Sequence, residues 1–481
     1  MEKKYWKGLL ILGIMMHFLA AALMPLGLDA YVHASYVADG MDDGDAHLEW
    51  GELRSENGST PTEVAGDDKW FAWHLIIEMW FTAFSPTATT LHVLGLVGGL
   101  GCLAVIFLAT RDLFGNYNAL KLTALASIYP PLIRATGRVY QEGVILLIVT
   151  IATYSIIKAM RNENKINSWW LSPILCAIVI LSFKGMPLWY VIPAILVVLV
   201  ACRLQMNQIQ VALFALLVQC VILFRNEVEL SNPDIIPALL SAFIGYFLFV
   251  KCGMLILVNQ DTESTDESIL INRASMMIAS CLVGWVAALW VTEAVSLDSS
   301  FFDIVYSFRN NPRYLSLLLV PLWFGRMLQG NFDDIFSTPN KNRITVSLVV
   351  LLLIINAAVL SSTGQRGTDA IGEHLESELS DNQDILFVSD EPLSMHRLYS
   401  IKFSSDPYSE LDNDGIWRTS NSDWKGELDR CELHDVNFII FYVDVDSSSP
   451  ENWVEVEFEG ADGVSENYRL YTWGGENERC S

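Results

Sequence analysis

Positive charge is what this sequence has least of. Its 481 residues include 30 Lys and Arg against 55 Asp and Glu, a formal net charge of −25. With no basic face to neutralise phosphates, nucleic-acid binding is disfavoured. Redox, metalloprotease and nucleotide signatures are absent too. There are 8 cysteines, but no Cys-x-x-Cys, no His-Glu-x-x-His and no Walker pattern. Nor is there an internal repeat of the kind many transporters carry. What the sequence has in quantity is apolar residues, 52% of the total, with a mean hydropathy of +0.34. That is too apolar for an ordinary soluble enzyme or a disordered chain. Such a chain must keep its charge apart. Residues 27–81 hold 12 acidic and 2 basic residues, residues 364–481 hold 27 and 8, and the remainder is close to neutral.

Crossing a bilayer takes roughly 20 apolar residues. Candidate spans lie at 8–26, 88–110, 119–133, 143–160, 169–183, 187–202, 208–224, 235–258, 274–296, 314–329 and 344–361. The fold class expected is a polytopic α-helical membrane protein of about 11 spans, with a small C-terminal extracytoplasmic α/β domain. Its domains are 1–363, with a first outer loop at 27–81, and 364–481. The short spans at 119–133, 169–183, 187–202 and 314–329 are open to tilted or re-entrant readings. Lys and Arg in alternate loops (Lys3, Lys4, Lys7; Arg111, Lys121; Lys158, Arg161, Lys165; Arg203; Arg273; Arg326, Lys341, Arg343) put the N-terminus in the cytoplasm. The two acidic segments then share the outer face. A cleaved signal peptide is the alternative reading of the first span, with Ala20–Ala22 near the cut.

Cys102, Cys176, Cys202, Cys220, Cys252 and Cys281 read as small core residues of the spans, whereas Cys431 and Cys480 lie outside, where a disulfide is permitted. In the C-terminal domain, 369–380 reads as an amphipathic helix, and 385–389, 398–403, 436–445 and 468–473 as strands. His17, His92 and Lys251 within spans read as satisfied or snorkelling residues. Asn57-Gly58-Ser59 fits the N-glycosylation pattern.

The chemistry should sit where ionisable residues meet the outer membrane edge. Asp29 follows the first span, and His33 is one helical turn on, so both share a face. A partly desolvated carboxylate steadied by an imidazole suits general-base work; a capping role is the alternative. Arg134, Arg138, Tyr140 and Glu142 are compressed into nine residues between apolar stretches. An arginine at that depth either grips a lipid phosphate bidentately or snorkels, and Glu142 either holds an arginine or binds a hydroxyl. Lys184 is a third outer cation suited to neutralising phosphate. Asp39, Asp42, Asp43 and Asp45 form a carboxylate cluster that either holds a divalent cation, the one cofactor considered, or solvates a loop.

Asp29 and His33 in a first outer loop resemble the polytopic GT-C glycosyltransferases. The likeness is strongest to the dolichyl-phosphate-mannose protein mannosyltransferase and lipid A aminoarabinose transferase group. It continues through Trp73-His74, Arg111-Asp112-Leu113-Phe114-Gly115, Ala124 to Pro131, and Tyr140-Gln141-Glu142, over roughly residues 8–160. The resemblance implies transfer of a sugar, usually with inversion, from a polyprenyl-phosphate donor on the outer leaflet to a lipid, glycan or protein acceptor. It puts the catalytic carboxylate at Asp29 and an arginine-glutamate element at Arg138 and Glu142. Two departures stand out. Asp29 is followed by Ala30 rather than by Glu, and the Trp-Trp-Asp-Tyr-Gly motif of oligosaccharyltransferases is missing. A transporter or flippase for a lipid-linked or polar solute is the competing class.

Overall fold

The computed structural model describes residues 3–42, 52–55, 58–60, 70–161, 168–192, 210, 232–257, 266–296, 300–309, 311–327, 338–361, 366–391, 393–408, 410–442, 450–457, 468–475 and 480. Most of the spans expected at 187–202 and 208–224, the side chains of Asp42, Asp43 and Asp45, and Asn57 of the glycosylation pattern lie outside this set. The chain forms two compact units, one of residues 1–22 and 95–361, the other of residues 23–94 and 362–481.

The first unit is helical. Among the described residues, five helices are long and apolar enough to cross a membrane: Lys3–Leu23, Ala88–Ser127, Glu142–Arg161, Ile235–Leu257 and Arg343–Leu360. The protein is an integral membrane protein. The expected span 88–110 lies within one of these helices, and the expected span 119–133 is corrected. The helix from Ala88 runs on to Ser127 through a kink at Gly115, whose φ of 81° and ψ of 171° suit glycine. The expected span 119–133 is broken, because Pro130 and Pro131 cannot continue a helix and instead open a new one, Pro130–Arg138. The break frees backbone carbonyls, and the buried Asn356 donates its Nδ2 to the Ile128 carbonyl at 2.8 Å. Within the expected span 314–329, every residue of the helix Ser316–Met327 is buried. This helix packs against Asp266–Ser296 and Glu142–Arg161.

The second unit is a seven-stranded sheet with helices on both faces. Its strands are β1 (Glu52–Ser55), β2 (Gly58–Thr60), β3 (Asp384–Val388), β4 (Gly415–Arg418), β5 (Val436–Tyr442), β6 (Trp453–Val456) and β7 (Tyr468–Trp473), in the order β2-β1-β4-β3-β5-β7-β6. The strands β1, β4, β3 and β5 are parallel; β2, β7 and β6 are antiparallel to their neighbours. Burial on both faces explains the unbroken apolar run Ile385-Leu386-Phe387-Val388. Ile385 and Phe387 join one core with Val32, Ile371, Leu398 and Ile401, and Leu386 and Val388 join the other with Trp424, Leu428 and Phe441. Cys431 and Cys480 form a disulfide.

The expected strand at 398–403 is a correction. It lies inside the helix Ser394–Ser405, in which every residue from Arg397 to Phe403 is buried. Six residues buried nearly all round carry too little periodicity to tell a strand from a helix.

Candidate functional site

The first unit carries a cationic cluster. The helix Pro130–Arg138 ends on Val139 in the left-handed region (φ 56°, ψ 42°), with the Tyr140 N–H returned to the Ala135 carbonyl at 2.9 Å. That conformation is costly for a β-branched residue. It reverses the chain, so that Arg134 and Arg138 close one helix just before Glu142 opens the next. The far side of this helix is anchored by His17, whose Nδ1 lies 2.8 Å from the Thr136 Oγ1.

Glu142 is 3% exposed and accepts a hydrogen bond from the Lys184 Nζ at 2.6 Å. Glu142 thus holds Lys184. Arg313, unremarked in the sequence, completes the cluster. Its guanidinium lies 4.5 Å from the Tyr140 ring centroid and 5.1 Å from that of Tyr314, and its Nη2 donates to the Tyr314 Oη at 3.1 Å. It reaches the electrostatic surroundings of both Glu142 and Arg134, where Arg138 and Tyr140 also stand. The Lys184 Nζ is 5.5 Å from the Tyr314 ring. The Nε of Arg138 is buried, with no hydrogen-bond partner among the described residues. Among the described residues, Glu142 thus faces Lys184 and Arg313, and Arg134 stands beside Arg138 and Arg313, in a part-buried setting. An excess of desolvated positive charge favours an anion.

The carboxylate expected to act as base lies in the second unit. Asp29 is in the first turn of the helix Leu28–Asp42, and its side chain is 46% exposed. Its Oδ1 is 4.0 Å from the Nε2 of His396, which the helix Ser394–Ser405 presents. His33, one turn beyond Asp29, pairs elsewhere: its Nδ1 lies 3.0 Å from the Nε2 of His74. Burial pulls the His74 imidazole down to about 4, so it is neutral at physiological pH.

The helix bearing Asp29 is fixed by long-range contacts. Lys402, 1% exposed, faces the buried Asp39 at 3.5 Å, and Arg366 donates its Nε to the Leu26 carbonyl at 2.9 Å. Asp39 therefore faces an ammonium. Among the described residues no group of three or more His, Cys, Asp and Glu could hold a metal ion. The side chains of the other carboxylates of that cluster, Asp42, Asp43 and Asp45, lie outside the described residues.

Asp369 stands beside the buried Tyr31 of the same helix. Burial pushes its carboxyl up to about 6, against the lowering influence of Arg366. Asp384, buried near Asp414 and Asp435, is also raised to about 6. An unfolded Asp titrates near 3.9. The stability these groups confer is therefore complete below about pH 4 and lost as pH rises through about 6. Asp369→Asn should raise the thermal midpoint more at pH 7.5 than at pH 4.5, as read by differential scanning fluorimetry. Equal changes at the two pH values would show that Asp369 is not buried as described.

No protein-family model matches the chain, and no curated protein matches it. Among solved structures, the chain is similar to the Archaeoglobus fulgidus oligosaccharyltransferase in complex with Zn and sulfate (10% identity, TM-score 0.47, over 91% of this chain and 68% of that chain). It is also similar to ArnT from Cupriavidus metallidurans bound to undecaprenyl phosphate (10% identity, TM-score 0.46, 99% of each chain). A third is the apo state of the same ArnT (12% identity, TM-score 0.47, 98% of this chain and 99% of that chain). These are GT-C glycosyltransferases, the class the sequence resembles.

Proposed function

We propose that this protein transfers a sugar from a polyprenyl-phosphate donor to an acceptor hydroxyl at the extracytoplasmic face of a membrane. The observation that carries this reading is the cationic cluster. Lys184 and Arg313 about the buried Glu142, with Arg134 and Arg138 nearby in a unit built of apolar helices, suit an anionic headgroup whose tail stays in the bilayer.

The roles of the residues follow the resemblance in the sequence. The acceptor oxygen attacks C1 of the sugar while Asp29 takes its proton. The bond from C1 to the phosphate oxygen breaks, and its electron pair leaves with the phosphate. Arg134, Arg138, Arg313 and Lys184 stabilise that growing charge, with Tyr140 beneath the Arg313 guanidinium and Glu142 holding Lys184 in place. His33 steadies the acceptor side. In this topology the N-terminus is cytoplasmic and the C-terminal domain is outside, as the loop cations require.

The test is to incubate the purified protein in lipid nanodiscs with polyprenyl-phosphate mannose, glucose and aminoarabinose, and to measure released polyprenyl phosphate. Release from at least one donor is expected. A protein that moves these lipids between leaflets and releases none is a flippase, and the proposal fails.

A further inference from the structure

Asp29, His33 and Tyr36 stand at positions i, i+4 and i+7 of the helix Leu28–Asp42, so they line one face. The helix Phe71–Ala83 and its N-cap Trp70 meet that face. The rings gather there. His33 is edge-on to Trp70, with centroids 5.3 Å apart, and Tyr36 lies 4.6 Å from His74. Trp70 lies 6.0 Å from His74, and the two imidazoles are hydrogen-bonded at 3.0 Å. All four residues are half-buried.

A hydrophobic core does not explain this composition. The same helix buries Trp73, Ile77 and Phe81 on another face, and those residues are all apolar. The ring cluster instead mixes two flat aromatic faces with two hydrogen-bonding rings, one turn from a half-exposed carboxylate. No lysine or arginine is among its members.

We propose that Tyr36, Trp70, His33 and His74 form a subsite for an uncharged pyranose ring next to Asp29. The proposal rests on the transfer reaction above for the role of that sugar, though not for its binding. A pyranose has an apolar C–H face, which stacks on aromatic rings, and a rim of hydroxyls, which need both donors and acceptors. Neutral imidazoles offer one of each. His74 is neutral for the physical reason already given, its burial. The subsite therefore complements an uncharged sugar ring. Its sugar comes either from the donor or from the acceptor.

Binding can be read without turnover, by saturation-transfer NMR on the full-length protein in nanodiscs. The probes are methyl α-mannopyranoside, methyl β-glucopyranoside and methyl β-galactopyranoside. Saturation should reach the ring C–H protons of at least one glycoside. It should fall about fivefold in Tyr36→Ala and Trp70→Ala, and persist in Trp70→Phe and Asp29→Asn. Trp70→Phe keeps the test valid if the alanine variant does not fold. Displacement by a polyprenyl-phosphate sugar, but not by bare polyprenyl phosphate, assigns the subsite to the donor; retention assigns it to the acceptor. No transfer to any of the three glycosides, or equal transfer in the wild type and Tyr36→Ala, overturns the proposal. Loss of transfer activity in Asp29→Asn with glycoside binding intact separates this outcome from a failure of the reaction itself.

Discussion

Replacing Glu142 by alanine is expected to destabilise the helical unit by about 3–5 kcal/mol, more than any other single change in the cluster. Glu142 is 3% exposed and holds Lys184 at 2.6 Å, with Arg313 in its field. Without it, Lys184 and Arg313 lose the carboxylate they face. The penalty is the cost of desolvated charge left uncompensated, not the worth of one hydrogen bond. Lys184→Met should cost less, because Glu142 still faces Arg313. Thermal unfolding of the detergent-solubilised variants measures the difference. A loss under about 1 kcal/mol in Glu142→Ala would mean that water screens the cluster, and the anion site as drawn would be wrong.

Arg313→Ala should raise the donor KM roughly 10- to 100-fold, the equivalent of losing one charge-assisted hydrogen bond. Its guanidinium is flanked by the Tyr140 and Tyr314 rings, so it is held in place before the donor arrives. Arg313→Lys should recover little, since an ammonium neither stacks on the rings nor presents a planar fork. Steady-state kinetics against donor concentration settles the point. An unchanged KM in Arg313→Ala removes this arginine from the donor site.

Residues near one another in the chain were the legible ones. Glu142–Arg161 was expected at 143–160, and Val436–Tyr442 within 436–445, because apolar length and alternation are local signals. The one-turn spacing of Asp29 and His33 was readable in the same way. Their partners were not. His396 and Lys402 face Asp29 and Asp39 across more than 360 residues, and no local pattern encodes such a contact. The pairing of β1 with β4 is of the same kind: Leu53 sits opposite Trp417. Strand pairing depends on what lies alongside, which a window of sequence does not contain. Arg313 ends the expected outer loop at 297–313 and carried a local hint, an arginine before Tyr314 at the foot of a buried helix, but its place over Tyr140 depends on packing.

The central claim is that Asp29 takes the proton of the acceptor. The most direct measurement is single-turnover sugar transfer by wild type and Asp29→Asn in nanodiscs, alongside equilibrium binding of polyprenyl phosphate to both. Asparagine keeps the shape and cannot accept the proton. Transfer should slow roughly 100- to 10,000-fold, the range of a lost general base, with polyprenyl-phosphate affinity unchanged. Transfer at the wild-type rate in Asp29→Asn would contradict the account.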